Sequence, residues 1–124
     1  MKQLLVIDNE ETILFALKRY FRKLQWRVDA ASELEEAEAL VAHTRYDIVI
    51  ADLSLTNGGS TEGLEILRFL RSMSPATQAI VLTAYGTPAL EHEARRRGAK
   101  AVLSKPQPLP DIARIAEGLV GVRP

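Results

Sequence analysis

The stretch Tyr46-Asp47-Ile48-Val49-Ile50-Ala51-Asp52 decides the fold. Its apolar run, with acids on either side, reads as a strand buried on both faces, because a strand with one wet face alternates polar and apolar residues. Asp52 then stands at the carboxyl end of that strand, the edge where open α/β sheets bind ligands. Other runs end in the same way. Leu4-Leu5-Val6-Ile7 leads to Asp8, and Ala79-Ile80-Val81-Leu82 leads to Thr83. Ala101-Val102-Leu103 is followed closely by Lys105.

Helical periodicity fills the gaps between these runs. Residues 10–24 carry Ile13, Leu14, Leu17, Tyr20, Phe21 and Leu24 at helical spacing. Trp26, Val28 and Ala30 alternate as a short strand over 26–30. Ser32 with Glu35 is a capping-box pair that opens an acidic helix running to about His43. Leu64, Leu67 and Leu70 mark a helix over 62–73, stopped before Pro75. Thr87-Pro88 reads as an N-cap and first helical residue, and Gly98 as a left-handed C-cap. Ile112, Ile115 and Leu119 mark a last helix from Pro110 to Leu119. Five β-then-α units follow. Continuously apolar strands call for helices on both faces of a parallel sheet, a doubly wound α/β domain.

The bulk numbers bound the function classes. The chain has 124 residues, of which 47% are hydrophobic and 26% charged, a single ordinary globular domain. Sixteen basic residues balance sixteen acidic ones, so bulk charge makes no case for nucleic acid or membrane as a partner. Zero cysteines exclude disulfides, thiolate metal sites and cysteine nucleophiles, and fit a cytoplasmic location. No apolar run approaches the ~18–20 residues that a membrane-spanning helix needs.

Two carboxylates, a hydroxyl and an ammonium on one sheet edge suit a Mg²⁺ ion and a phosphoryl group. Each member has a plainer role when taken alone. Asn9 could cap the first helix, with Glu10 and Glu11 favouring its positive end. Asp52 and Thr83 could be turn residues, and Lys105 a solvated lysine. Their shared register favours the functional reading. His43 and His92 lack metal-ligand companions, and Trp26, Tyr20 and Phe21 read as core. Arg95-Arg96-Arg97, with Lys100 nearby, complements a helix dipole or docks a partner.

Val6-Ile7-Asp8-Asn9-Glu10, Asp47 through Leu53, Leu82-Thr83-Ala84, Gly98-Ala99 and Lys105-Pro106 together resemble the receiver domain of two-component response regulators. The resemblance covers essentially the whole chain. It implies a (βα)5 flavodoxin-like fold with strand order 2-1-3-4-5. The receiver domain is expected over 1–121, with a C-terminal tail at 122–124 and no second domain. It implies that Asp52 takes a phosphoryl group from a sensor histidine kinase or phosphotransfer protein, with Thr83 and Lys105 engaging that group. It implies Mg²⁺ held by Asp8, Asn9, Asp52 and the Ser54 backbone carbonyl, and a cis Lys105-Pro106 bond. It implies a switching face made by the fourth helix, fifth strand and fifth helix, which would meet an unknown output partner and serve a homodimer. Such a module is not an enzyme beyond its own phosphotransfer and dephosphorylation. Direct nucleic-acid binding is not expected.

Four features depart from the family pattern. Asn9 replaces the second acid of the usual pair, so weaker metal binding is expected. Val102 stands where an aromatic switch residue is usual, three places before the lysine. After Asp52 the usual proline is Thr56, and Asn57-Gly58-Gly59-Ser60-Thr61-Glu62 delays the matching glycine to Gly63. That loop could gate access, recognise a partner or be a tolerated insertion. Gln107-Pro108-Leu109-Pro110 replaces the usual aromatic after the lysine-proline pair. Ser54 and Tyr85 stand at positions that tune phosphoryl lifetime in this family, and a shielding Tyr85 implies a long-lived mark. Asn9, Val102 and the loop favour an alternative, a receiver-like interaction scaffold that works without phosphorylation. A Mg²⁺-dependent phosphohydrolase is disfavoured, because Ser54 replaces the second acid such enzymes carry two residues after the nucleophile.

Overall fold

The computed structural model describes residues 1–53, 61–84 and 86–121, with residues 61 and 62 described by their backbone. The strands are β1 (Gln3–Ile7), β2 (Arg27–Ala31), β3 (Ile48–Asp52), β4 (Gln78–Thr83) and β5 (Ala99–Ser104). The helices are α1 (Glu11–Lys23), α2 (Leu34–His43), α3 (Thr61–Met73), α4 (Pro88–Arg96) and α5 (Leu109–Gly121). The strands form one parallel sheet in the order β2-β1-β3-β4-β5, as the resemblance implied.

Strand periodicity builds two cores from one sheet. Successive side chains point to opposite faces. Leu4, Val6, Ile48, Ile50, Ile80 and Leu82 therefore pack with Leu17 and Phe21 of α1 and with Ile112, Ala113 and Ala116 of α5. Leu5, Ile7, Val49, Ala51, Ala79 and Val81 pack against α2, α3 and α4 on the other face. Burial on both faces is why the strands read as unbroken apolar runs. Trp26 is buried one residue before β2, edge-to-face on Phe21 at 5.3 Å between ring centroids.

The helix punctuation holds at α4 and slips at α2. Thr87 caps α4, its Oγ1 accepting the Leu90 N–H at 3.1 Å, and Pro88 is the first helical residue. Gly98 follows the end of α4 with φ +110°, a conformation that favours glycine. The expected Ser32–Glu35 capping box does not form. The helix starts later than the box requires, so Glu33 is the N-cap, without a side-chain cap bond. The carboxylate that reaches back belongs to Glu36, whose Oε1 accepts the Ser32 N–H at 3.0 Å.

The delayed glycine, Gly63, makes a close backbone approach. It is buried in the first turn of α3, and a Cβ there would lie 2.2 Å from the Leu53 carbonyl oxygen. The helix packs against backbone directly after Asp52, and only a residue without a side chain permits that approach.

Candidate functional site

Sheet register brings the site together. Ile7 pairs with Ala51, so the next residues in each strand direction, Asp8 and Asp52, stand side by side. Asp52 pairs with Leu82, which places Thr83 one step beyond it. Thr83 pairs with Ser104, and the Lys105 N–H then bonds the Thr83 carbonyl at 2.9 Å. Asp8 is anchored to the neighbouring strand through its N–H, which bonds the Ala31 carbonyl at 3.1 Å.

Asp8, Asp52 and Thr83 are the buried polar side chains among the described residues, exposed by 1%, 3% and 2%. Burying a carboxylate costs several kcal/mol unless a partner compensates. Lys105 is that partner. Its Nζ lies 2.8 Å from Asp8 Oδ2 and 3.3 Å from Asp52 Oδ2. It also lies 3.2 Å from Glu10 Oε1. Thr83 sits beneath the turn that follows β4, where a Cβ on Gly86 would come within 2.9 Å of its methyl group.

Burial raises the Asp8 pKa above its ordinary value. The Lys105 ammonium and the Glu10 N–H, which bonds Asp8 Oδ1 at 2.9 Å, offset part of that rise, and the Asp52 charge adds to it. Burial also opposes the charge on Lys105, but Asp8, Asp52 and Glu10 together hold its pKa above the usual lysine value. A desolvated ammonium thus neutralises part of a carboxylate pair.

Asn9 does not cap α1. Glu10 occupies the N-cap, and the Asn9 side chain is left exposed next to Asp8. Asp8 Oδ2 is buried and has no hydrogen-bond partner apart from its ion contact with Lys105. A buried carboxylate oxygen whose contact is a cationic ammonium, beside a second carboxylate, fits a hard cation as well. Among the described residues no three His, Cys, Asp or Glu side chains converge into a metal cage. A cation here would therefore rely on Asp8, Asp52, the Asn9 amide and water, the sparse protein ligation that Mg²⁺ tolerates. The Ser54 carbonyl, the 54–60 loop and Tyr85 lie outside the described residues. Lys105-Pro106 is cis, as expected.

Several features were not legible in the sequence. Glu10 reaches Lys105 across 95 positions of chain. An apolar groove of about 460 Å³ opens beside Lys105, lined by Ile13, Leu17, Leu82, Pro106 and Leu109 among others. The arginine run is largely neutralised by its own helix: Glu93 pairs with Arg96 and Arg97, and Glu91 with Arg95. Glu93 is held down to about 2 by those arginine hydrogen bonds. Val102 is half-buried against the core on the α4 side of the sheet.

Comparison with known proteins agrees with this geometry. A family model described as the response regulator receiver domain matches residues 4–117. The photosynthetic apparatus regulatory protein RegA of Rhodobacter capsulatus is 32% identical over 119 residues, covering 94% of this chain and 63% of that protein. The transcriptional regulatory protein ResD of Bacillus subtilis is 31% identical over 104 residues, covering 84% of this chain and 42% of that one. The chain thus spans less than two thirds of the length of these relatives. A response regulator of Burkholderia pseudomallei, solved with a phosphorylated aspartic acid, a calcium ion and citrate, superposes with a TM-score of 0.87 at 27% identity. That match covers 98% of this chain and 69% of the other.

Proposed function

The chain belongs to the response regulator receiver family, and from that premise we propose that Asp52 is its phosphoacceptor. The observation that carries this reading is the convergence of the buried Asp8, Asp52 and Thr83 with Lys105 at one sheet edge. A purely structural site would not keep two buried carboxylates at such cost.

The donor is a phosphohistidine of a sensor kinase or phosphotransfer protein. An Asp52 carboxylate oxygen attacks phosphorus and forms an O–P bond. The P–N bond breaks, and its electron pair leaves with the imidazole. The product is an acyl phosphate on Asp52. Such transfers depend mainly on positioning and charge neutralisation. Lys105 already touches the acceptor carboxylate at 3.3 Å, so a small shift lets its ammonium pair with a phosphoryl oxygen. Thr83 offers a hydroxyl to another. Asp8, Asn9, Asp52 and the Ser54 carbonyl would hold Mg²⁺, which supplies further positive charge to the phosphoryl oxygens.

The receiver is a signalling module, and its chemistry is confined to its own phosphorylation and loss of phosphate. The face formed by α4, β5 and α5 is the proposed output and homodimer surface. With Val102 in place of an aromatic, its response to Thr83 runs through packing of β5 and α4 rather than ring rotation. No helix among the described residues is long and apolar enough to cross a membrane, and we place the module in the cytoplasm. Asn9 and Val102 favour a second reading, a scaffold that works without phosphorylation.

Intact mass after incubation with acetyl phosphate and Mg²⁺ separates the two. One phosphoryl group, absent in Asp52→Asn and without metal, is the expected result. A folded protein that accepts none, from acetyl phosphate or from a phosphohistidine donor, would leave the scaffold reading.

A further inference from the structure

We propose that Glu10 is a third acid of the phosphoacceptor site and supplies the negative charge that Asn9 lacks, an inference that rests on the Mg²⁺-dependent reading above. Glu10 stands at the N-cap of α1 yet makes no side-chain cap bond there. Its side chain is 57% exposed and free to point to solvent, but Oε1 lies 3.2 Å from Lys105 Nζ. The same ammonium touches Asp8 Oδ2 at 2.8 Å and Asp52 Oδ2 at 3.3 Å. The Glu10 carboxylate is therefore about 6 Å or less from Asp8 Oδ2, within strong Coulomb range. Asp8 Oδ2 is itself buried, and the Lys105 ammonium it touches at 2.8 Å is the charge that a divalent cation would displace there.

Asp8, Asp52 and Lys105 together carry one net negative charge. Glu10 makes it two, the number a usual second acid in place of Asn9 would give. Glu10 acts through space and through Lys105 and is a positioning residue. It offers the ammonium a carboxylate at the rim to pair with when a cation takes the Asp8 and Asp52 oxygens that the ammonium now touches. The weak metal binding expected from Asn9 alone is accordingly offset.

The test is calorimetric titration of Mg²⁺ into the unphosphorylated protein and into Glu10→Gln, Asn9→Asp and the double variant, at low and at physiological salt. A unit charge at this distance changes divalent affinity by roughly three-fold at physiological salt and roughly ten-fold at low salt. Glu10→Gln should lose that much, with the larger loss at low salt. Asn9→Asp placed on Glu10→Gln should recover the wild-type affinity. Equal affinity of Glu10→Gln and wild type at low salt would overturn the inference. So would a double variant as weak as Glu10→Gln, because the effect would then belong to the start of α1 and not to charge. A wild-type protein that binds no Mg²⁺ would overturn the metal-dependent reading itself.

Discussion

Replacing Lys105 with Met should make this protein's stability depend steeply on pH and on Mg²⁺. The Lys105 side chain is 12% exposed, and its ammonium lies within 3.3 Å of two buried carboxylates. Its removal leaves those charges facing each other out of water. Coulomb attraction in the wild type is offset in part by desolvation of the lysine, and breaking such a buried pair costs about 3 kcal/mol near neutral pH. The pH dependence follows from Asp8. Its folded pKa lies above the ordinary 3.8, so over the interval between the two values the folded state binds more protons than the unfolded state. Its contribution to stability is complete below 3.8 and declines as pH rises through the folded value. Without Lys105 that folded value climbs further, so the variant should approach wild-type stability in mild acid and fall away toward pH 7.5. Mg²⁺ at a hundred times its Kd should return about 2.7 kcal/mol. Urea unfolding followed by fluorescence of Trp26, itself only 3% exposed, measures all of this. A variant as stable as wild type at pH 7.5 without Mg²⁺, or destabilised equally at every pH, would refute the reasoning.

Gly63→Ala would drive a methyl group into the Leu53 backbone, where the nearest atom is 2.2 Å away. Backbone cannot rotate aside, so a loss of about 3 kcal/mol is expected in thermal or chemical denaturation, together with slower phosphorylation of the adjacent Asp52. Tyr46→Phe removes a buried hydroxyl that donates to Asp29 Oδ2 at 2.6 Å, and urea titration should show a loss of about 1–2 kcal/mol. Burial raises the Tyr46 phenol pKa, with the Asp29 hydrogen bond next in effect, so ultraviolet titration of the folded protein should find it un-ionised through the ordinary tyrosine range. Thr87→Ala removes the cap of α4 and should cost about 1 kcal/mol, seen as faster amide exchange in the first turn of that helix.

Much of the fold was readable along the chain because its signals are local. Apolar runs, helical spacing, Thr87-Pro88 and Gly98 each report on a few neighbouring residues, and each marked an element that formed. Where the local signal was degenerate it slipped: Ser32, Glu33, Glu35 and Glu36 offer several equivalent ways to start α2, and packing of Leu34 and Ala37 against the sheet chose among them. Asn9 is not the cap of α1 because the helix begins at Glu11, one residue too late for it, and Glu10 takes the N-cap position.

The sequence by itself determined which residues end the strands, and so it named Asp8, Asp52, Thr83 and Lys105 as a group. It could do so because burial on both faces requires uninterrupted apolar runs, and the polar residues directly after each run mark the sheet edge. Only the tertiary structure decided how those residues meet. The pairing of Ile7 with Ala51 sets Asp8 beside Asp52, and the reach of one lysine joins them to Glu10. Register and side-chain reach are long-range properties, set when distant segments dock against each other, and no short window of residues encodes them.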